Sequence, residues 1–378
     1  MDATLRRFSL FYFAYYAALG AYTPYVGRWV DALGHGGYVV GGMLGLWYGT
    51  RILGPPAWAA LSSRSTRPGE WFFAGCVLSL ALFAGFVFTT SAWALLTVMA
   101  LFGLFYNAVM PQFEAMTLTA LGSRPERYGR LRVWGSVGFL LVAGSYGALL
   151  DVTGATRFPW LVLPLFVLLV AAAWPHRHDS PPPPDPNAMA DAGHLWKRPG
   201  VRRFLLVAML MQLGFGPFYV FFTLHLQAHG HAGAEIGALW AIGVIIEIAL
   251  FWQAPKLIAR FGAAPLLQLC IAVTAVRWAV VAFFADSLAV MAIAQAGHAL
   301  SFAMFHACCM RLMADFFPGH RAAAGQSLLY GISGGVGGVL GAVMAAVAWE
   351  SPGGGTAAFA AGAAACGLAF AIHAKNSS

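Results

Sequence analysis

The chain has 378 residues, of which 60% are hydrophobic and only 10% are charged, and its mean hydropathy is +0.71. Soluble domains typically carry about 25% charged residues, so this composition excludes a soluble globular protein and indicates that lipid is the main solvent. The net charge of +8 does not point to a nucleic-acid partner, because the basic residues lie in short segments between apolar runs. The five cysteines show neither metal-ligand nor disulfide spacing, and we expect no metal and no cofactor.

The N-terminal half contains six apolar runs, each long enough to cross a bilayer. Roughly 20 apolar residues cross the hydrocarbon layer as a helix, and helix is the open structure that satisfies the backbone there. The first run lacks the short apolar region and cleavage site of a signal peptide, so we expect it to remain as a span. The six runs lie at 8–30, 38–61, 71–89, 92–120, 133–150 and 157–174.

A proline-rich segment, "PHRHDSPPPPDPNAMADAGHLWKRPG", follows at 175–200. Its four consecutive prolines favour extended polyproline over helix. We therefore predict an N-terminal bundle at 1–174, a cytoplasmic linker at 175–200 and a C-terminal bundle at 201–378. The second bundle has six apolar runs of its own, at 204–226, 236–258, 264–284, 288–314, 323–348 and 355–373.

The two halves resemble each other at one fixed offset. A shift of 196 residues aligns "GRLRVWGSVG" at 129–138 with "GQSLLYGISG" at 325–334, and the same shift aligns Arg64 with Arg260. Two segments that share one offset indicate parallel repeats. The sequence thus predicts an all-α membrane protein with twelve transmembrane helices in two pseudo-symmetric six-helix bundles, the architecture of a transporter with a midplane site.

The basic residues predict the orientation of the chain. If both termini are cytoplasmic, 17 of the 22 lysines and arginines fall in cytoplasmic segments, and only Arg28 and Arg157 fall on the opposite side. This asymmetry indicates a multi-pass protein of a bacterial-type inner membrane with both termini inside. The remaining three basic residues, Arg51, Arg132 and Arg277, lie within or at the start of apolar runs.

Ionisable residues inside apolar runs are the candidate functional residues, since each costs roughly 2.5–3.5 kcal/mol on insertion scales. Arg51 in the second run and Glu247 in the eighth are related by the repeat offset. We predict either an ion pair between the two bundles, formed in one conformation only, or two separate charges that are each paired locally. In both cases we expect Arg51 and Glu247 to face a cavity.

Glu114 and Arg132 form the second candidate group. Asn107 and Glu114 are seven residues apart and share one helical face. Arg132 opens the next run, so the hairpin would bring a guanidinium to the carboxylate, and pairing would offset part of the desolvation cost. The alternative for Arg132 is a headgroup-level anchor that extends to water.

Three residues of the C-terminal half, Glu247, Arg277 and His298, form the third group. A histidine titrates near neutral pH, and beside a buried carboxylate it suits a proton-coupled step. The alternative for His298 is an ordinary hydrogen-bonded buried histidine.

Four stretches, "YGRLRVWGSVGF", "PFYVFFTLHL", "LIARFG" and "GHALSFAMFHA", carry a family resemblance. With them the chain resembles transporters of the major facilitator superfamily, and is most similar to the branch of 3-phenylpropionate transporters and, further off, lactose permease-like proton symporters. The inner-loop signature of the superfamily is degraded in "WAALSSRS", where Ala59 and Ser63 replace the usual Gly and Asp.

The resemblance to lactose permease implies roles for single residues. Its sugar-binding glutamate corresponds to Glu114 and its fifth-helix arginine to Arg132, at the same separation. Its ninth-helix arginine corresponds to Arg277 and its tenth-helix histidine to His298. Its proton-carrying glutamate corresponds to Ser301, so the proton site does not carry over whole, and Glu247 becomes the expected proton carrier.

The charges also bear on the substrate. Three arginines in the runs against Glu114 and Glu247 leave one spare positive charge, which would suit a monocarboxylate, and the many aromatic residues could stack an arene. We therefore expect a secondary active transporter, a monomer that moves a small solute with a proton by alternating access, with an aromatic acid such as 3-phenylpropionate as substrate. The Glu114–Arg132 pair equally fits a neutral sugar or nucleoside. The runs hold no catalytic cluster, so we expect no enzyme; a transport-inactive membrane sensor is the alternative from another class.

Overall fold

The computed structural model describes residues 3–122, 127–179, 195, 197–318 and 321–375. These residues are almost entirely helical, and the described ranges contain no strand. The helices of the N-terminal half are α1 (Ala3–Ala32), α2 (Gly37–Ser62), α3 (Pro68–Ala84), α4 (Ala92–Leu121), α5 (Tyr128–Thr153) and α6 (Phe158–Ala173). Each contains most of one predicted apolar run, and the run 71–89 continues past α3 into a short 3₁₀ helix, Gly85–Phe88. In lipid the backbone must satisfy its own hydrogen bonds, which favours helix.

The C-terminal half is helical too, but several of its predicted spans are broken. Its helices are α7 (Pro199–Gly214), α8 (Gly216–Ala228), α9 (Gly233–Phe261), α10 (Ala263–Phe283), α11 (Leu288–Ala296), α12 (Phe305–Phe316), α13 (Ala322–Leu329), α14 (Gly338–Trp349) and α15 (Gly354–Ala374). A π-helical segment, Leu300–Met304, lies between α11 and α12, and a second, Tyr330–Gly337, joins α13 to α14.

Ten helical spans within the described ranges are long and apolar enough to cross a bilayer. α1 and α2, with 30 and 26 residues, are long enough but are not among the ten. Tyrosines in α1, and glycines, prolines and Arg51 in α2, lower the hydropathy of these two helices. The chain is thus a multi-pass membrane protein, and twelve crossings stay a prediction.

The chain divides into two compact units. The first comprises Met1–Pro184 with Ala232–Gly237, and the second comprises Asp185–His231 with Ala238–Ser378. The division at Pro184 falls inside the predicted linker 175–200, of which residues 180–194 and 196 lie outside the described part of the chain.

The first unit brings α1 and α5 together through glycines. A Cβ atom on Gly138 would lie 2.3 Å from the backbone oxygen of Phe13, and one on Gly20 would lie 2.7 Å from the backbone oxygen of Phe139. Small residues let membrane helices approach this closely. The close approach places the tyrosine-rich face of α1 against the start of α5, where Arg132 lies.

In the second unit, glycines of α7 and α8 likewise allow close helix packing. A Cβ atom on Gly216 would lie 2.1 Å from the backbone oxygen of Gly341 on α14, and one on Gly214 would lie 2.8 Å from that of Gly362 on α15. Beside these helices, Phe218 and Trp278 are fully buried in an aromatic core. This core contacts Arg277 and His298.

Candidate functional site

The first polar group of the N-terminal unit is built around Glu114, on α4 three residues after the helical proline Pro111. The Tyr12 hydroxyl donates to Glu114 Oε2 at 2.8 Å, and the Tyr128 hydroxyl donates to the same oxygen at 2.9 Å. Arg132 Nε lies 3.9 Å from the other oxygen, Oε1. The structure therefore brings the predicted pair together, but as a loose ion pair rather than a tight bidentate one.

Arg132 has its shortest hydrogen bond to a tyrosine. Its Nη2 donates to the Tyr16 hydroxyl at 2.6 Å, and its guanidinium carbon lies 4.0 Å from the Tyr16 ring centroid. The Arg132 and Glu114 side chains keep 32% and 27% of their surface accessible. Arg132 is therefore held by side chains of α1 and α4, and both charged groups remain partly accessible.

The second polar group of this unit links α2 to α4. Arg51 Nε donates to Asn107 Oδ1 at 3.2 Å. The amide nitrogen of Asn107 donates to the Trp47 backbone oxygen and to Thr50 Oγ1, both at 3.0 Å. The guanidinium carbon of Arg51 lies 5.3 Å from the Trp47 ring centroid. Asn107 is buried and engaged with three partners, whereas Arg51 is exposed.

In the C-terminal unit, Glu247 and His298 are direct partners. His298 Nε2 lies 3.3 Å from Glu247 Oε2, and the two side chains are only 9% and 15% exposed, in that order. His298 lies between α11 and the π-helical segment Leu300–Met304, and its ring stacks on Phe302 with centroids 5.6 Å apart. π-helical turns frequently occur at functional sites. The structure thus joins two of the three residues predicted for this group.

Arg277, the third of them, is buried near the same group. Its guanidinium carbon lies 4.8 Å from the Phe218 ring centroid, and the His298 ring centroid lies 5.5 Å from the same ring. Arg277 Nε donates to the Ala294 backbone oxygen at 2.8 Å, and Nη2 donates to Gln295 Oε1. Arg277 and His298 therefore share one aromatic neighbour.

Arg51 and Glu247 each have a partner inside their own unit, namely Asn107 and His298. This agrees with the alternative in which each charge is held locally. The ion pair predicted between the two bundles stays a prediction.

Four partner residues were not anticipated from the sequence: Tyr12, Tyr16, Tyr128 and Gln295. Tyr12 and Tyr16 are four residues apart, so they share one face of α1, and that spacing was an available signal. Gln295 is a polar residue in an apolar run, three positions before His298. Within the described part of the chain, no group of three His, Cys, Asp or Glu residues could hold a metal ion.

Comparison with known proteins identifies the family. The model of the MFS_1 like family matches residues 5–361. The chain is 28% identical over 322 residues to the "Probable 3-phenylpropionic acid transporter" of Escherichia coli (strain K12), covering 82% of both proteins. It is 29% identical over 288 residues to a maltose permease of Geobacillus stearothermophilus, covering 74% of this chain and 71% of the permease.

Solved structures of transporters share the fold. The nucleoside transporter NupG superposes with a TM-score of 0.84 over 100% of both chains, at 15% identity. The POT family transporter PepTSo superposes with a TM-score of 0.75 over 98% of both chains, at 13% identity. The match to the family model spans almost the whole chain, so the protein belongs to the MFS_1-like family and is a membrane transporter of the major facilitator type.

Proposed function

We propose that this transporter moves an aromatic acid, such as 3-phenylpropionate, together with a proton. Two features support an acid as substrate. The relative from Escherichia coli is named a probable 3-phenylpropionic acid transporter. Arg51, Arg132 and Arg277 outnumber the carboxylates Glu114 and Glu247 among the charges inside the apolar runs, so an anionic substrate would balance the excess.

The observation that carries proton coupling is the contact of Glu247 with His298. A carboxylate and an imidazole 3.3 Å apart, both largely buried, form a pair that can gain or lose a proton inside a membrane protein. We assign Glu247 as the proton carrier and His298 as its partner, with Arg277 adjusting the local charge. Gain of a proton by Glu247 would change the charge of the C-terminal unit and so favour a different arrangement of the bundles.

We assign substrate contacts in the N-terminal unit to Glu114, Arg132 and Arg51. Glu114 and Arg132 combine hydrogen-bonding capacity with accessible surface, which a ligand contact requires. Asn107 is assigned to the substrate site through Arg51, which it holds by a hydrogen bond.

In this proposal the bundles 1–174 and 201–378 rock about a midplane site, joined by the linker 175–200. The protein is a monomer in a bacterial-type inner membrane with both termini cytoplasmic, and nucleic acid has no part in its function.

A proton-coupled sugar or nucleoside symporter is the second candidate. The maltose permease relative favours a sugar, and the Glu114–Arg132 pair suits the hydroxyl groups of a neutral polyol. A transport-inactive membrane sensor is the candidate of another class, and it would bind substrate without uptake.

Proteoliposomes with an imposed pH gradient test the proposal. We expect labelled 3-phenylpropionate to accumulate in vesicles that are alkaline inside, and a protonophore to abolish accumulation. Maltose and uridine serve as the competing substrates in the same vesicles. The weak acid also crosses lipid unaided, so vesicles without protein set the baseline. Protein-dependent uptake that is unaffected by the gradient would remove proton coupling, and accumulation of maltose or uridine instead would replace the substrate.

A further inference from the structure

Arg277 is a buried cation whose hydrogen-bonding capacity is incompletely used. The residue is 3% exposed, yet its Nη1 has no hydrogen-bond partner. The partners of its other nitrogens are the Ala294 backbone oxygen and the amide oxygen of Gln295, both of which are neutral. Among the described residues no carboxylate lies within ion-pair distance of the guanidinium. No carboxylate of the described ranges therefore neutralises the positive charge of Arg277.

Arginines buried in membrane proteins are normally paired with an opposite charge, because removing a cation from water is costly. Neutral acceptors and aromatic faces reduce that cost but leave the net charge in place. An arginine's planar fork is matched by a carboxylate, which can accept from two of its nitrogens at once. The unused Nη1 of Arg277 thus has no acceptor among the described residues, and an anionic ligand would supply one.

The surroundings of Arg277 suit an anion that carries an aromatic ring. Phe218 and Trp278 flank the guanidinium, with their ring centroids 4.8 and 4.2 Å from its central carbon. Phe215 packs edge-on against Trp278, with centroids 5.1 Å apart. The Phe218 and Trp278 rings are both buried in the conformation described, so an arene packs against them where this aromatic core opens.

A second buried polar atom lies in the same group. His298 also packs on Phe218, and its Nδ1 has no partner, while its Nε2 contacts Glu247. One imidazole therefore has one nitrogen on the proposed proton carrier and the other unused. Arg277 Nη1 and His298 Nδ1 are thus both unpaired polar atoms on residues that pack against the Phe218 ring, whereas most buried polar groups are paired.

We infer that Arg277, with His298 beside it, forms the carboxylate-binding site of the C-terminal unit and takes an aryl monocarboxylate. This inference rests on the proposed function and deepens it, because it makes Arg277 a specificity-determining residue that binds the charged end of the substrate. The ring of the substrate packs against Phe218 and Trp278.

The test compares an acid with its neutral amide. Purified protein in lipid nanodiscs is titrated with 3-phenylpropionate and with 3-phenylpropionamide, by calorimetry. We expect wild type to bind the acid at least tenfold more tightly than the amide. Arg277→Gln should remove that preference while changing the affinity for the amide less than twofold. Arg277→Lys keeps the positive charge but loses the planar guanidinium that can donate from two nitrogens at once. This variant should retain part of the preference for the acid over the amide.

A control variant separates this role from general damage. Arg311→Gln, at an exposed position of α12, should leave both affinities unchanged, since its side chain is 61% accessible. If Arg277→Gln does not fold, the Arg277→Lys variant provides the test. A preference for the acid in Arg277→Lys that is as large as in wild type overturns the inference.

The inference and the proposed function fail in different ways. If wild type prefers the acid and Arg277→Gln keeps that preference, the inference is wrong while acid transport stands. Equal loss of acid and amide binding in Arg277→Gln makes Arg277 a structural residue, and again leaves acid transport intact. If wild type binds the acid no better than the amide, both the aromatic-acid substrate and the carboxylate site are wrong. Proton coupling is judged separately, by gradient-driven uptake.

Discussion

Nε2 of His298 lies 3.3 Å from Oε2 of Glu247, and the contact joins α9 to the π-helical region that follows α11. Both side chains are largely buried, so a proton that reaches this pair is shielded from bulk water and is less screened electrostatically. A change in its charge is therefore felt strongly by neighbouring helices.

The first prediction concerns Glu247→Gln. The amide keeps the size of the side chain but cannot carry a proton, so we expect loss of uptake against a gradient while exchange of labelled for unlabelled substrate stays within about threefold of wild type. Asp315→Asn is the matched control, because Asp315 forms an exposed ion pair with Arg311 at 3.0 Å and should be silent. Gradient-driven uptake at the wild-type rate in Glu247→Gln would assign the proton to another group.

The second prediction concerns the hydrogen bond from Arg132 to Tyr16. Arg132→Ala should weaken substrate binding at least tenfold, since a charged hydrogen-bonding group is lost from the site. Tyr16→Phe keeps the ring but removes the 2.6 Å hydrogen bond, and should cost roughly 1–2 kcal/mol of binding energy, or about five- to thirtyfold in affinity.

Arg130→Ala is the control on the same helix. Arg130 lies two residues earlier on α5 and is exposed, so its loss should leave affinity unchanged. Equilibrium substrate-binding measurements on Arg132→Ala, Tyr16→Phe and Arg130→Ala test this prediction. Full affinity in Arg132→Ala would return this arginine to the headgroup region.

The third prediction uses two glycines that occupy equivalent positions in the repeat. A Cβ atom on Gly135 would lie 2.7 Å from the Tyr16 ring and 2.8 Å from Arg132 Nη1, whereas one on Gly331 would meet no atom within 4 Å. Gly135→Ala should therefore displace Tyr16 or Arg132 and reduce affinity severalfold. Gly331→Ala should bind normally, and the variant should be as stable as wild type or more so, because alanine favours helix by about 1 kcal/mol. Equal behaviour of the two variants in binding and thermal unfolding would contradict the geometry.

The fourth prediction concerns Gln295, whose oxygen accepts from Arg277 and whose nitrogen donates to the Leu239 backbone oxygen at 3.3 Å. Gln295→Leu removes the acceptor of the buried Arg277 Nη2, so we expect the free energy of unfolding to fall by about 1–3 kcal/mol. Gln253→Leu, at an exposed position of α9, is the control. Denaturant unfolding in detergent measures both, and an unchanged midpoint for Gln295→Leu would show that the buried guanidinium does not need this acceptor.

The positions of the helices were predictable because lipid requires long apolar segments, and each predicted run coincides with helix in the structure. The π-helical segments Leu300–Met304 and Tyr330–Gly337 could not be predicted from the sequence. Hydropathy does not indicate whether a backbone amide bonds to the carbonyl four or five residues before it. Composition does not distinguish a π-helical turn from an α-helical one.

The charged members of the site were predictable for a similar reason: an arginine or glutamate stands out in an apolar run. Tyr12 was not, because tyrosine is ordinary in membrane helices and its bond to Glu114 joins positions 102 residues apart in sequence. Only the glycine-mediated packing of α1 on α5 decides which tyrosines face Arg132.

Two phenols donate to a single oxygen of Glu114, Oε2, which leaves Oε1 facing Arg132 across a 3.9 Å gap. A ligand hydroxyl bridging the two groups would accept a hydrogen bond from the guanidinium and donate one to the carboxylate. One side of the gap therefore offers a donor and the other an acceptor. An ether satisfies only the guanidinium, and so does the carboxylate of an aromatic acid, so this hydroxyl contact belongs to the second candidate, a sugar or nucleoside. The arrangement therefore distinguishes an alcohol from its methyl ether, a chemical selectivity that depends on which of two carboxylate oxygens the tyrosines occupy.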